Sequence, residues 1–217
     1  MSKIELSLWI EANFPANSKS AAMRKPVYGV GINDAKYITG PTIDGKVRPD
    51  PFYKVWTSML QRCYDHKWQA KNPTYIGCTV HPDWLVYSVF RSWCIAHHVE
   101  GWQPDKDLLR PGNKEYCPDA CIFVPNWLNS LTVDCGAARG EWPLGVYFDK
   151  QRGKFRSRCS NPITGKQHRL GYFTTPEAAH AAWLIYKLEL ADELKQQMDA
   201  IDHRMYPNVI SIITAAQ

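Results

Sequence analysis

The sequence predicts an α+β fold in which a mixed central block is followed by a small sheet-and-helix domain. Three observations support this prediction. Apolar residues recur at helical spacing over 52–64 and 83–96. Residues 105–130 have the pattern of a strand, a long turn, a second strand and the start of a helix. Residues 144–192 contain three short strand-forming runs and then a helix.

Helical periodicity is clear in the first half of the chain. Val55, Met59 and Cys63 recur at i, i+4 and i+8 and predict the buried stripe of a helix over 52–64. Residues 3–12 predict a shorter amphipathic helix. The helix predicted over 83–96, after Pro82, has an aromatic stripe formed by Trp84, Tyr87, Phe90 and Trp93.

Strand signals are concentrated near the C-terminus. The predicted strands are Leu144–Phe148, Lys154–Cys159 and His168–Phe173. Thr175 is the predicted N-cap of the next helix, with Pro176 at its first position. We expect the face of this helix that lies against the sheet to consist of Ala178, Ala181, Ala182, Ile185 and Leu188.

The composition is that of a globular protein, since 45% of the 217 residues are hydrophobic and 22% are charged. It excludes a disordered or collagen-like chain. No apolar run reaches the roughly 20 residues that span a bilayer, and residues 1–15 lack a signal-peptide pattern. We therefore expect a cytoplasmic protein with no membrane partner. Its seven Cys are then expected to be free thiols or metal ligands.

Positive charge is concentrated in one segment. The chain has a net charge of +5, and residues 139–169 contain eight Lys or Arg against two acidic residues. Because strand side chains alternate, Lys154, Arg156 and Arg158 share one face of their strand, opposite Phe155 and Cys159. Gln167 and Arg169 of the next strand can join that face. The pattern favours a polyanion partner, and a merely solvated basic face is the alternative.

Residues 142–192 resemble the AP2 DNA-binding domain. The resemblance is carried, in order, by Gly145–Phe148, Gly153–Arg156, Leu170–Ala179 and Ala181–Trp183. It implies a three-stranded antiparallel sheet, packed on one helix, that docks in the major groove of double-stranded DNA. The implied DNA-binding residues are Tyr147, Lys150, Arg152, Lys154, Arg156, Arg158, Gln167 and Arg169. Plant members of the family carry several Arg in the first strand, where this chain has Tyr147 and Asp149. The resemblance therefore does not imply that this chain shares the base preference of the plant members.

Residues 53–130 resemble a phage-borne group of HNH-type (ββα-metal) homing endonucleases. The matching pieces are Trp56–Tyr64, Gly77–Trp84, Asp105–Asp107, Gly112–Lys114, Pro118–Cys121 and Phe123–Asn129. The resemblance implies DNA cleavage with Mg²⁺ or another divalent metal, in a bacterial host cell during phage infection. It also implies that Asp105 and Asn129 hold the ion and that Asn113 orients the catalytic residue.

Lys106 departs from the HNH pattern, which has a general-base His at this position. A protonated lysine is a poor base at neutral pH unless it is strongly desolvated. In one alternative, Lys106 contacts phosphate and Asp107 is a second ligand or the base. In the other, the hydrolytic centre is degenerate. Without the surrounding block, Asp105–Asp107 would be interpreted as a charged turn.

Several thiols suggest a structural zinc site at Cys63, Cys78, His81 and Cys121, with Cys117 as a further candidate. Cys78-x-x-His81 and Cys117-x-x-x-Cys121 have spacings compatible with zinc knuckles. No paired CxxC motif accompanies them, so buried free thiols are the alternative.

The leading hypothesis is a DNA-binding, HNH-like endonuclease. The alternatives are a catalytically degenerate, non-enzymatic DNA-binding protein and an inhibitor whose basic face meets an acidic protein. The predicted organisation is an N-terminal extension (1–51), an HNH-like domain (52–130), a linker (131–141), an AP2-like domain (142–200) and a C-terminal tail (201–217).

Overall fold

The structure is a computed structural model that describes residues 1–132 and 141–215. The predicted α+β class is confirmed. Most of the predicted linker lies outside the described residues, as do Cys135 and Arg139. No helix within the described ranges is both long and apolar enough to cross a membrane.

The chain divides into two compact units. The first contains Met1–Asp107 and Gly112–Phe123. The second contains Leu108–Pro111 and the chain from Val124 onward.

The first unit is mainly helical and has short strands. Its helices are α1 (Lys3–Asn13), α2 (Ser18–Ala22), α3 (Pro51–Tyr64), α4 (His66–Lys71) and α5 (Tyr87–His97). Its strands are β1 (Thr42–Ile43), β2 (Lys46–Val47), β3 (Thr79–Val80), β4 (Gln103–Asp105) and β5 (Glu115–Tyr116), and the unit ends within β6 (Ile122–Val124). β1 and β2 are antiparallel, β3 and β5 are parallel, and β4 pairs with β6.

α3 confirms the helix predicted over 52–64. Asp50 caps it, because Oδ1 accepts the backbone N–H groups of Phe52 (2.8 Å) and Tyr53 (3.3 Å). The buried Asp50 carboxylate also accepts hydrogen bonds from Ser7 of α1 (2.6 Å) and from Tyr37 (2.7 Å). The buried side chains of α3 are Phe52, Trp56, Met59, Leu60 and Cys63. This cap therefore ties α1 and the loop of Tyr37 to the central helix.

The helix predicted over 83–96 is wrong in its first turn. Residues Pro82–Leu85 form a 3₁₀ turn, Val86 is extended, and α5 begins at Tyr87. The interruption has a clear cause, because Ile32 donates its N–H to Leu85 O (2.7 Å) and accepts the N–H of Tyr87 (3.0 Å). This bridge holds the backbone extended where a continuous helix was expected.

The second unit is built around an antiparallel sheet with the strand order β7–β8–β9. The strands are β7 (Val146–Asp149), β8 (Lys154–Ser160) and β9 (Gln167–Phe173). They confirm the three predicted strands, with ends displaced by one or two residues. The unit also contains α6 (Asn126–Thr132), α7 (Pro176–Glu193), α8 (Lys195–Ile201) and α9 (Met205–Ala215).

α7 begins as predicted, with the Thr175 hydroxyl accepting the N–H of Ala178 (3.2 Å). The predicted small-residue face is wrong, since Ala178, Ala181 and Ile185 are exposed. The residues of α7 that are buried are Ala179, Trp183, Lys187, Leu190 and Ala191.

Because Lys187 is one of its residues, the buried face of α7 cannot be recognised in the sequence as an apolar stripe. The stem of Lys187 is buried one turn beyond Trp183, with Nζ 5.8 Å from the centre of a Trp183 ring. Burial lowers the pKa of this ammonium group, although the nearby Cys159 acts in the opposite direction. A lysine in the buried stripe makes that stripe look like a surface in the sequence.

Candidate functional sites

One side of the three-stranded sheet carries aligned cations and tyrosines. Residues paired across neighbouring strands project to the same side. The register pairs Arg156 with Tyr147 on β7 and with Tyr172 on β9. It also pairs Arg158 with Arg169. We call this surface the cationic face, formed by Tyr147, Lys154, Arg156, Arg158, Arg169 and Tyr172.

Arg158 is the most constrained cation on the cationic face. Its guanidinium carbon lies 3.7 Å from the centre of the Tyr147 ring, and Nη1 donates to Gln167 Oε1 (3.1 Å). Arg156 approaches the same ring from 5.9 Å. A guanidinium fixed in this way loses less conformational freedom when it binds an anion.

The turn between β7 and β8 holds another stacked cation. The guanidinium carbon of Arg152 lies 4.9 Å from the centre of the Tyr172 ring, and Nη1 donates to Asp149 Oδ2 (3.1 Å). Burial opposes the charged form of Asp149, but hydrogen bonds from Arg152 hold the pKa of this carboxyl below its ordinary value. The pair fixes Arg152 at the edge of the cationic face.

A β-bulge in β9 brings Tyr172 onto the cationic face. Simple alternation puts Tyr172 on the side opposite Arg169. The pairing instead shifts after Ser157, which faces Gly171, so that Arg158 faces Arg169 and Leu170 is the extra residue. Gly171 has φ +138, a conformation that favours glycine. Sequence reasoning missed Tyr172, although a glycine inside a strand is a recognised signal of a bulge.

The residues predicted to bind DNA all lie in the second unit. Six are exposed: Tyr147, Lys150, Arg152, Lys154, Gln167 and Arg169. Arg156 and Arg158 are half-buried, and the Nε atom of each is buried without a hydrogen-bond partner among the described residues. Like charges directly opposite each other on a sheet are destabilising, so the pairing of Arg158 with Arg169 favours an anionic partner at this point.

The end of β4 and the loop that follows it carry the predicted catalytic residues Asp105, Lys106, Asp107 and Asn113, all in the first unit. Asn113 organises it, since its Nδ2 donates to the carbonyl oxygens of Lys106 (3.0 Å) and Glu115 (2.6 Å). Asp105 Oδ1 accepts the N–H of Asp107 (2.8 Å). The structure thus brings these four residues into one hydrogen-bonded loop.

Lys106 is buried and makes two hydrogen bonds within this loop. Its ammonium donates to Asp107 Oδ1 (2.5 Å) and to Asn113 O (2.7 Å), and lies 5.7 Å from the centre of the Tyr116 ring. Only 8% of its side chain is exposed, against 47% for Asp107. An ammonium paired with a carboxylate is a structural cation, and this arrangement does not suit a general base.

The predicted zinc ligands occupy different settings. Cys63, Cys78 and Cys121 are buried, as is the further candidate Cys117. His81 is half-buried, and its Nδ1 accepts the N–H of Asp83 (3.3 Å), which caps the 3₁₀ turn.

Two of these candidate thiols, Cys63 and Cys121, favour the protonated form. Burial raises the pKa of Cys63 to about 12, with a further contribution from Cys78, and burial also raises the pKa of Cys121. Zinc binds the thiolate. Within residues 1–132 and 141–215, no group of three or more His, Cys, Asp or Glu side chains could hold a metal ion. The zinc site therefore stays a prediction, whereas the packing of these thiols in the core is observed.

Asn129, the other predicted ligand of a divalent ion, is half-buried on α6 and belongs to the second unit. Its carbonyl oxygen accepts the Thr132 hydroxyl (3.2 Å).

Comparison of the chain with known proteins finds no matching family model, no matching curated protein and no matching solved structure.

Proposed function

We propose that this protein binds double-stranded DNA through the cationic face. The observation that carries the proposal is the stacking of Arg158 on Tyr147, in line with Arg156 and opposite Arg169. The cationic face combines cations that can neutralise phosphates with positioned guanidinium groups that can form bidentate hydrogen bonds to guanine.

The shape of this surface supports a duplex partner rather than an acidic protein. A sheet can enter the major groove and follow its curvature. Tyrosine rings between the arginines offer apolar contacts to base edges, which a solvated basic surface does not need. Binding of an acidic protein would require positive charge on this surface, but it would not require arginines and tyrosines at regular spacing.

Selection from a random pool of duplexes tests the proposal. Wild-type protein is expected to enrich a defined sequence, and Arg156→Ala is expected to bind that sequence more weakly. Lys67→Ala serves as the control, because Lys67 is an exposed lysine of α4 in the first unit. Failure to retain any duplex, together with binding of an acidic protein, would favour the inhibitor hypothesis.

We propose metal-dependent phosphodiester hydrolysis as the second candidate function. The ordering of the Asp105–Asp107 loop by Asn113 favours it. Asp105 would be a ligand of Mg²⁺ or a similar ion, which when bound supplies charge stabilisation at the phosphate and the leaving oxygen. Since Lys106 is paired with Asp107, the half-exposed Asp107 is the residue of this loop that we propose as the base.

Plasmid cleavage with Mg²⁺ or Mn²⁺ separates the two candidate functions. Asp105→Asn is expected to abolish cleavage, whereas Asp119→Asn, at an exposed carboxylate outside the loop, should not. Cleavage that persists in Asp105→Asn would refute the assigned ligand. The absence of cleavage with any metal, in a preparation that binds duplex DNA, would identify a non-enzymatic DNA-binding protein.

A further inference from the structure

The first unit contains a cavity of about 340 Å³ lined by residues of α3, α5 and the strands beside them. Aromatic rings form much of its wall: Phe52, Trp84, Trp93, Trp102, Tyr116 and Phe123. This size and lining are typical of small-molecule sites. Flat aromatic walls favour a planar ligand that can stack on them.

His98 belongs to the lining of the cavity. Its side chain is only 2% exposed, and the ring is held edge-on to Phe52 (5.5 Å between ring centres) and Phe123 (5.1 Å). Neither ring nitrogen has a hydrogen-bond partner among the described residues. Nε2 lies 3.5 Å from Glu100 Oε2 but does not make a well-aligned bond. A buried imidazole in this state is a group that a ligand can satisfy.

The protonation of His98 fits recognition by hydrogen bonds. Burial, followed by the nearby Lys3, lowers the pKa of this ring, although Glu100 opposes the shift. A neutral imidazole offers one N–H donor and one nitrogen acceptor. A ligand with both a donor and an acceptor on one edge would match it.

The charges around the cavity favour an anion. Lys3, Lys54 and Arg62 belong to its lining, whereas no Asp or Glu of the described chain does. Lys54 is exposed, and Lys3 and Arg62 are half-buried. These cations can meet a negative group that remains near solvent while the planar part of the ligand is buried.

We propose that this cavity binds a nucleotide, with its base among the aromatic rings and hydrogen-bonded to His98, and its phosphate near Lys54. A nucleotide combines the three features that the lining requires: a planar stacking surface, a donor–acceptor edge and an anion. The ligand could be a free mononucleotide or a nucleotide turned out of a DNA duplex. The cavity lies within the first unit, so the proposal does not depend on DNA binding by the sheet.

Equilibrium dialysis with the four deoxynucleoside monophosphates tests the proposal on the full chain. At least one is expected to bind, and Trp102→Ala should weaken it by about tenfold, the scale of losing one stacking ring. Lys54→Ala should weaken the monophosphate several-fold but leave the matching nucleoside unchanged. The control is Lys46→Ala, at an exposed lysine outside the cavity, which should change nothing. Thermal melting identifies any variant that has failed to fold.

A second arm distinguishes the two sources. A duplex containing 2-aminopurine should become more fluorescent with wild-type protein, and less so with Trp102→Ala, if the nucleotide comes from DNA. Monophosphate binding without that change identifies a free nucleotide. No binding in either arm would overturn the proposal, as would benzoate binding as tightly as every monophosphate. Neither result would bear on duplex affinity measured with Arg158→Ala, so failure here is distinguishable from failure of the sheet proposal.

Discussion

The guanidinium carbon of Arg158 lies 3.7 Å from the centre of the Tyr147 ring, and Nη1 of the same group donates a hydrogen bond to Gln167 on the next strand. The contact spans all three strands, since Tyr147 is on β7, Arg158 on β8 and Gln167 on β9. A long, flexible cation is thereby held in one position on the sheet. This positioning gives the cationic face more geometric definition than net charge alone.

Arg158→Lys tests whether this positioning matters. The substitution keeps the charge but removes the planar stack on Tyr147 and the fixed bond to Gln167, so we expect several-fold weaker binding of the selected duplex. The dependence of affinity on salt should stay close to wild type, because the number of cations is unchanged. Fluorescence anisotropy at several salt concentrations measures both quantities. A Lys variant with wild-type affinity would show that only charge is needed.

Gly145→Ala is expected to destabilise the second unit strongly. Gly145 has φ +74, and a Cβ there would lie 2.0 Å from Cδ1 of the buried Trp183. Gly153→Ala is a matched control, because Gly153 also has a positive φ (+60) but nothing lies within 4 Å of its Cβ position. We expect a loss of about 1 kcal/mol for Gly153→Ala and about 2–4 kcal/mol for Gly145→Ala. If urea unfolding gives the same loss of unfolding free energy for both variants, a clash with Trp183 is not the cause of the destabilisation.

The parts of the fold predicted correctly are those with local signals. Thr175 and Pro176 mark the start of α7, and the apolar spacing from Phe52 to Cys63 marks α3. The errors arise where distant contacts decide. Ile32 interrupts the helix before Tyr87, and Lys187 is buried in a stripe that its charge conceals.

The candidate sites, too, were predicted correctly where the signal is local and incorrectly where residues distant in the chain decide the structure. Alternation along β8 correctly groups Lys154, Arg156 and Arg158, because strand period is a local property. Tyr172 was not predicted to lie on the cationic face, because the bulge in β9 interrupts the alternation of side chains between the two sides of the sheet. A histidine pair at the end of a predicted helix is interpreted from the sequence as surface, but His98 is buried against Phe52 and Phe123, which are distant in the chain.

Lys106→Met is expected to destabilise the first unit. It removes the ammonium that bonds to Asp107 and to the Asn113 carbonyl, and it leaves this half-buried carbonyl without that partner. We expect a loss of about 1–3 kcal/mol. Lys114→Met is a suitable control, since Lys114 bonds to the Thr74 carbonyl (2.7 Å) at an exposed position. If urea unfolding gives the same loss for both lysines, the buried pairing of Lys106 is not what stabilises the loop.

Alkaline pH is expected to destabilise the first unit partly through Cys63. Burial raises the pKa of this thiol from 9.0 to about 12, so the folded state holds its proton at pH values where the unfolded chain has lost it. The resulting stabilisation is fully present below about pH 9 and is lost as pH rises towards about 12. Cys63→Ala should therefore show a shallower decline in the free energy of unfolding over this interval. Parallel curves for the two proteins would contradict the assignment.

The salt dependence of duplex binding tests the central claim most directly. Wild-type protein should show a steep fall of log K with log salt, and Arg158→Ala/Arg169→Ala should lower the slope by about two, because each removed arginine would neutralise one phosphate. Lys67→Ala/Lys71→Ala, at two exposed lysines of α4, removes the same charge from the first unit and should leave the slope unchanged. Equal slopes for wild type and the arginine variant, or an equal reduction by both double variants, would contradict DNA binding by the cationic face.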